Sequence, residues 1–129
     1  MSTPKPSGEY LVISRGKWDS SASPAKIQEA IDHFYAWLDR LVAEGKMKPG
    51  KRLANTGATV TKKATLTDGP YGETKEVIGG YWFILAGSLA EAARIAGENP
   101  TLECGLFFEI RPIEEAAATA CRTTCETPL

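Results

Sequence analysis

The sequence predicts one α+β domain in which two helices cover one face of a β-sheet. Three observations predict it. Short runs rich in β-branched and aromatic residues alternate with two segments of helical period. The order of these runs is strand, helix, two strands, strand, helix, strand. The chain of 129 residues, 43% hydrophobic and 24% charged, has the size and composition of a single-core globular domain.

The polar start, residues 1–8, is read as a flexible terminus, followed by a domain over 9–113 and a tail over 114–129. Glu9-Tyr-Leu-Val-Ile-Ser14 is a short apolar run suited to a buried strand. Ser20-Ser-Ala-Ser-Pro24 offers N-cap residues and a proline whose φ suits a first helical turn, so a helix begins near Pro24. Its apolar residues Ile27, Ala30, Ile31, Phe34, Trp37, Leu38 and Leu41 recur at spacings of three and four, and Gly45 stops it. Met47 to Ala54 reads as a turn leading into a short strand, and Asn55-Thr-Gly57 as another turn. Thr59 to Thr67 reads as one half-exposed strand.

Val77 to Ala86 is the most apolar run and is expected in the centre of the sheet, with Gly79-Gly80 marking a bulge or a close backbone approach. Ser88-Leu-Ala-Glu91 is a capping box. The helix behind it has Leu89, Ala92, Ala93 and Ala96 on one side and ends at Gly97 and Pro100. Gly105 to Arg111 is the last strand, stopped at Pro112, and the Ala/Thr-rich tail after it is read as helical or frayed. This order matches two βαβ-like halves, a ferredoxin-like arrangement with an added strand. Tyr81, Phe83 and Leu85 alternate with Trp82 and Ile84, so both sheet faces are apolar. A homodimer packed sheet against sheet is the expected remedy.

Fifteen Lys plus Arg against sixteen Asp plus Glu leave a net charge of −1, which argues against nucleic acid as a partner. The N-terminus has no apolar signal region, and the run from Tyr81 to Ala86 is far too short to cross a bilayer, so no membrane association is expected and the cytoplasm is the expected location. Three cysteines make a disulfide framework improbable. Cys121 and Cys125 have CxxxC spacing, but tetrahedral zinc needs two further N or S ligands, so no metal is expected. No phosphate loop, dinucleotide fingerprint, nucleophile elbow or HExxH motif is present, and no cofactor is expected.

Chemistry concentrates in Asp68-Gly69-Pro70-Tyr71-Gly72-Glu73-Thr74-Lys75-Glu76, which joins five ionisable side chains to two glycines and a proline. Pro70 stiffens the turn, and Asp68 leaves the strand where the chain turns. Its carboxylate suits a general acid or base, or else ordinary turn hydrogen bonding. Glu73, Lys75 and Glu76 suit either ligand contacts or a solvated charge run. His33, the one histidine, sits roughly 120° from the centre of the first helix's apolar stripe, on its shoulder. Arg111 suits either an anionic ligand group or an acidic neighbour.

DGPYGETKEVIGGYWFI resembles the run of the YCII-related proteins, in the branch named for Asp-Gly-Pro-Phe, where Asp-Gly-Pro-Phe-Ala-Glu-Thr-Lys-Glu precedes a Gly-Gly-Tyr strand. SLAEAARIAGENP and EIRPI extend the resemblance across about residues 9 to 113, with Tyr71 and Gly72 standing where the family has Phe and Ala. The resemblance implies a dimeric α+β barrel of ferredoxin-like subunits and a cleft between sheet and helices. It also implies an acid/base His–Asp pair, which Asp68 matches; His33 lies within the first helix rather than at its start, where the family histidine sits. Some relatives resemble lyases or dehydrochlorinases acting on small ring compounds, and branch members are linked with extracytoplasmic-function sigma factors. The leading expectation is a small-molecule site with lyase-like chemistry, with Asp68 and His33 catalytic and Tyr71, Glu73, Lys75, Tyr81 and Arg111 binding the ligand. The alternatives are a non-catalytic regulatory module, acting with a sigma factor, and a loop that only stabilises the dimer.

Overall fold

In a computed structural model, residues 8–62, 65–68 and 77–128 are described, with the backbone alone for 65–68. The elements are β1 (Gly8–Arg15), α1 (Pro24–Ala43), β2 (Met47–Arg52), β3 (Gly57–Val60), β4 (Thr65–Asp68), β5 (Ile78–Ala86), α2 (Leu89–Ala96), a 3₁₀-helix (Pro100–Cys104) and β6 (Phe107–Pro112). The main sheet has the order β2-β5-β1-β6 with every neighbouring pair antiparallel. This is the α+β, ferredoxin-like arrangement. Both helices cover one face: α1 packs beside β2 and the 3₁₀-helix, and α2 against β1, β5 and β6.

Helix α1 begins where the sequence places it. Ser23 is the N-cap and its hydroxyl accepts from the Lys26 N–H at 3.1 Å, with Pro24 in the first turn. Gly45, at φ +77°, closes the other end: its N–H donates to Val42 O at 3.1 Å and that of Lys46 to Leu41 O at 2.9 Å. This double closure requires a left-handed residue, which glycine adopts without a Cβ penalty. Ala30, Trp37, Leu38 and Leu41 are buried, as the stripe predicts. On α2, Ser88 Oγ accepts from Glu91 N–H at 3.1 Å, while the Glu91 carboxylate reaches one residue further back than a capping box requires and accepts from Gly87 N–H at 2.7 Å. Ala92, Ile95 and Ala96 form the buried side of this helix.

Three segments differ from the sequence reading. Thr59 to Thr67 is not one strand but a hairpin, β3 and β4, which forms its own two-stranded sheet; the addition to the ferredoxin-like core is therefore two strands rather than one. Extended propensity is plain there, but Thr61-Lys62-Lys63-Ala64 contains none of the Gly, Pro, Asn or Asp residues that announce a turn. The Met47–Pro49–Gly50 stretch, read as a turn, belongs to β2. An edge strand tolerates a proline, and the β2–β5 register shifts between Lys48 and Lys51 to absorb it. The tail, open between helical and frayed, has neither helix nor strand through residue 128. The bulge expected at Gly79-Gly80 is present: Ser14 pairs with Gly80 and Arg15 with Ile78, leaving Gly79 unpaired between them.

The core joins Tyr10 and Val12 of β1, Trp82, Ile84 and Ala86 of β5, Met47 of β2 and the buried stripes of both helices. Among the described residues no helix is long and apolar enough to cross a membrane. Two changes test this account. Gly50→Ala drives a Cβ into the Tyr81 carbonyl and is expected to cost on the order of 1–3 kcal/mol. Ser88→Ala removes one N-cap bond and is expected to cost about 1 kcal/mol. Urea midpoints at unchanged m-value measure both.

Candidate functional site

The ladders place Arg52 opposite Gly80, Gly80 opposite Ser14, and Ser14 opposite Phe108. These four positions form one row across β2, β5, β1 and β6. The row lies on the helix-bearing face, because side chains two residues apart share a face and Val12 and Trp82 are buried in the core. Helix α1 passes over it, presenting Ile31, Phe34, Tyr35 and Leu38. The space between them is a cavity of about 120 Å³, open on one side, whose walls also include Trp18, Tyr81 and Trp82.

Glycine keeps its floor low. A Cβ on Gly80 would come within 2.8 Å of the Lys51 carbonyl oxygen, and one on Gly50 would strike the backbone of Tyr81. Both glycines line the cavity, so the close approach of β2 to β5 and the open floor have the same cause. The aromatic wall is continuous: the Trp82 ring lies 5.0 Å from that of Phe34 and 5.6 Å from that of Phe108, both tilted.

Few polar side chains border this surface. The indole N–H of Trp82 is buried without a hydrogen-bond partner, and among the described residues the hydroxyl of Ser14, itself only 8% exposed, makes no side-chain hydrogen bond. Arg52 shares its face with Gly80, whose missing side chain leaves the guanidinium room, and forms no ion pair with a described residue. Lys51 borders the cavity with its backbone carbonyl, while its register opposite Tyr81 turns its side chain to the other sheet face. No Asp, Glu or His stands among the described lining residues.

The sequence candidates fall in different places. Tyr81 borders the cavity between Gly80 and Trp82, but its ring packs 6.0 Å from that of Phe83 on the other sheet face. His33 is exposed on another side of α1, in a shallow cleft with Lys26, Glu29 and Glu103, and does not line the cavity. Arg111 lies on the opposite sheet face, across from Leu11, where it contacts Glu109 Oε2 at 3.3 Å and Cys125 Sγ at 3.7 Å. The Cys125 contact first, and Glu109 second, hold its guanidinium above the usual value. The backbone of Asp68 ends β4 opposite Gly57. Tyr71, Glu73 and Lys75 lie outside the described residues. Among the described residues no three His, Cys, Asp or Glu side chains gather as a metal site.

The sequence reading missed Ser14, Phe34, Arg52, Trp82 and Phe108 as site residues. One signal was available. Tyr10, Val12 and Ser14 share the inward phase of β1, so Ser14 is a small polar group on a buried face.

Fold and site together define a ferredoxin-like α+β domain with an aromatic-walled cavity between its first helix and its sheet. The YCII-related domain model matches residues 9–116, and the chain belongs to that family. Among solved structures, 5-chloro-2-hydroxyhydroquinone dehydrochlorinase from Burkholderia phenoliruptrix AC1100, in complex with 2,5-dihydroxybenzoquinone, is similar at 15% identity and a TM-score of 0.47, over 84% of this chain and 95% of that one. That likeness carries nothing about chemistry. No curated protein matches the sequence.

The Ser14 side chain has no hydrogen-bond partner among the described residues, so truncating it breaks no bond. Ser14→Ala is therefore expected to leave the unfolding free energy unchanged or raise it by up to about 1 kcal/mol. Val12→Ala, two residues away on the same face and fully buried, is expected to lower it by about 2 kcal/mol. Denaturant titration of both variants makes the comparison, and equal losses would show that Ser14 is an ordinary structural residue.

Proposed function

We propose that this protein binds a small organic molecule in the cavity between α1 and the sheet, and that Asp68 transfers a proton to or from it in lyase-like chemistry. The observation that carries the binding reading is a concave aromatic surface bordered by the Ser14 hydroxyl and the Arg52 side chain, neither of which has a hydrogen-bond or ion-pair partner among the described residues. Membership of the YCII-related family and the sequence motif beginning at Asp68 support its catalytic role.

Chain connectivity is consistent with that role. The Leu53 N–H donates to Gly79 O at 2.9 Å, at the cavity end of β5, and four residues later Gly57 pairs with Asp68. Four residues span at most about 14 Å, so the hairpin is tethered close to the cavity. Asp68 acts here without His33, which faces a separate cleft. A carboxylate alone suffices as a general base when it is held within hydrogen-bond reach of the proton it takes.

The working unit in this reading is a homodimer joined through the open sheet face. Leu11, Ile13, Tyr81, Phe83 and Leu85 are only half-buried there, and Phe107 is 52% exposed. The carboxylates described on that face are matched within one chain, Glu9 by Lys48 at 2.5 Å and Glu109 by Arg15 at 2.6 Å, so what a second copy would cover is chiefly the half-buried apolar side chains.

Two measurements test these proposals. For a compound that raises the melting temperature and is turned over, Asp68→Asn is expected to keep binding and to lose at least about a hundredfold in kcat. Unchanged turnover removes Asp68 from the chemistry, and a broad screen in which nothing raises the melting temperature removes the binding reading. In sedimentation equilibrium the wild type is expected as a dimer and Phe83→Glu as a folded monomer; a monomeric wild type at high micromolar concentration refutes the dimer.

A further inference from the structure

Resting on the cavity reading above, we infer that the ligand is a planar, single-ring carboxylate whose acid group meets Arg52 while its ring lies against Phe34, Trp82 and Phe108. Size is the first argument. A cavity of about 120 Å³ approaches the roughly 150 Å³ at which a closed apolar cavity accepts benzene, so one six-membered ring fills it. Shape is the second. The tilted rings of Phe34, Trp82 and Phe108, 5.0 and 5.6 Å apart, present flat and edge-on surfaces that a planar ring meets better than a branched aliphatic chain.

Charge is the third argument. The Arg52 side chain can only donate, and the described lining holds no carboxylate to neutralise it. A ligand that satisfies it carries acceptors, and a cation at the rim calls for a negative one. Arg52 fits a carboxylate in particular, because its planar fork matches two coplanar oxygens, and it forms no ion pair with a described residue. The row across the sheet sets the geometry. Arg52 stands at the β2 end, Gly80 leaves the neighbouring position empty, and Ser14 lies next along, so the ring extends from the acid group over Gly80 towards Ser14 and Phe108. The Ser14 hydroxyl is then placed to bond a ring substituent that accepts or donates. Arg52 and Ser14 are the residues that set specificity.

The test is isothermal titration calorimetry with benzoate, benzyl alcohol, acetate and inorganic phosphate on the wild type, Arg52→Gln and Arg52→Lys. Circular dichroism melts confirm that each variant is folded. Benzoate is expected to bind saturably, at least about tenfold tighter than either benzyl alcohol or acetate. Arg52→Gln is expected to weaken benzoate by at least about tenfold without changing benzyl alcohol, and Arg52→Lys to restore only part of the loss. If benzyl alcohol binds the wild type as tightly as benzoate, the cavity reading stands and the carboxylate assignment is wrong. If acetate or phosphate matches benzoate, the ring is not recognised and the inference fails. If none of the four binds the wild type, the inference fails, and Phe34→Ala separates the two levels: a compound from the melting-temperature screen that loses affinity in Phe34→Ala keeps the cavity as the site, whereas unchanged affinity removes the cavity itself.

Discussion

Trp82 is the side chain on which both the packing of α1 and the shape of the cavity depend. Its ring meets Phe34 of α1 on one side and Phe108 of β6 on the other, so it ties the first helix to the sheet. The same contact fixes how far α1 stands off the sheet, and that separation is the height of the cavity. Burying so large a ring in the middle of β5 gives the fold a substantial part of its apolar stabilisation. It also brings an indole N–H into the interior with no hydrogen-bond partner, a cost of order 1–3 kcal/mol that the packing must offset. The indole N–H of Trp37 carries the same cost in the core, so it belongs to the packing of large aromatic rings in this fold.

The glycines complete the arrangement from below. Gly50 and Gly80 let β2 and β5 approach more closely than side chains would permit, and the bulges beside them shift the registers so that Arg52, Gly80, Ser14 and Phe108 line up. Fold and site are therefore not separable here. The strand irregularities that weaken the ladder at one end of the sheet are the same ones that clear a floor for a ligand.

The two faces of the sheet answer different needs. The helix side holds the core and the cavity. The other side keeps its aliphatic and aromatic residues half-covered by ion pairs and by cations lying over Phe83 and Phe107, at 5.4 and 5.5 Å from the ring centres. Arg111 belongs to this second face, which is why it joins Glu109 and the Cys125 thiol rather than the cavity. Its position at the end of the last strand was visible in the sequence, but the face it points to depends on the register with β1.

Local chemistry by itself determined most of the elements. The stripe from Ile27 to Leu41, the caps at Ser23 and Ser88, the stop at Gly45 and the bulge at Gly79-Gly80 are each decided by residues within a few positions of one another, and all are found. The hairpin at β3 and β4 was not legible because the sequence between the strands, Thr61 to Ala64, has no Gly, Pro, Asn or Asp, and the strand character of Pro49 depends on β2 lying at the sheet edge. Family membership was legible too, since a motif is local. The cavity was not. Its row takes one residue from each of four strands, and antiparallel pairing alone brings them together. Ser14 reads as a strand residue, Arg52 as part of a turn and Phe34 as core until their neighbours across the sheet are known. A side chain's local pattern says which way it points; only the tertiary register says what it points at.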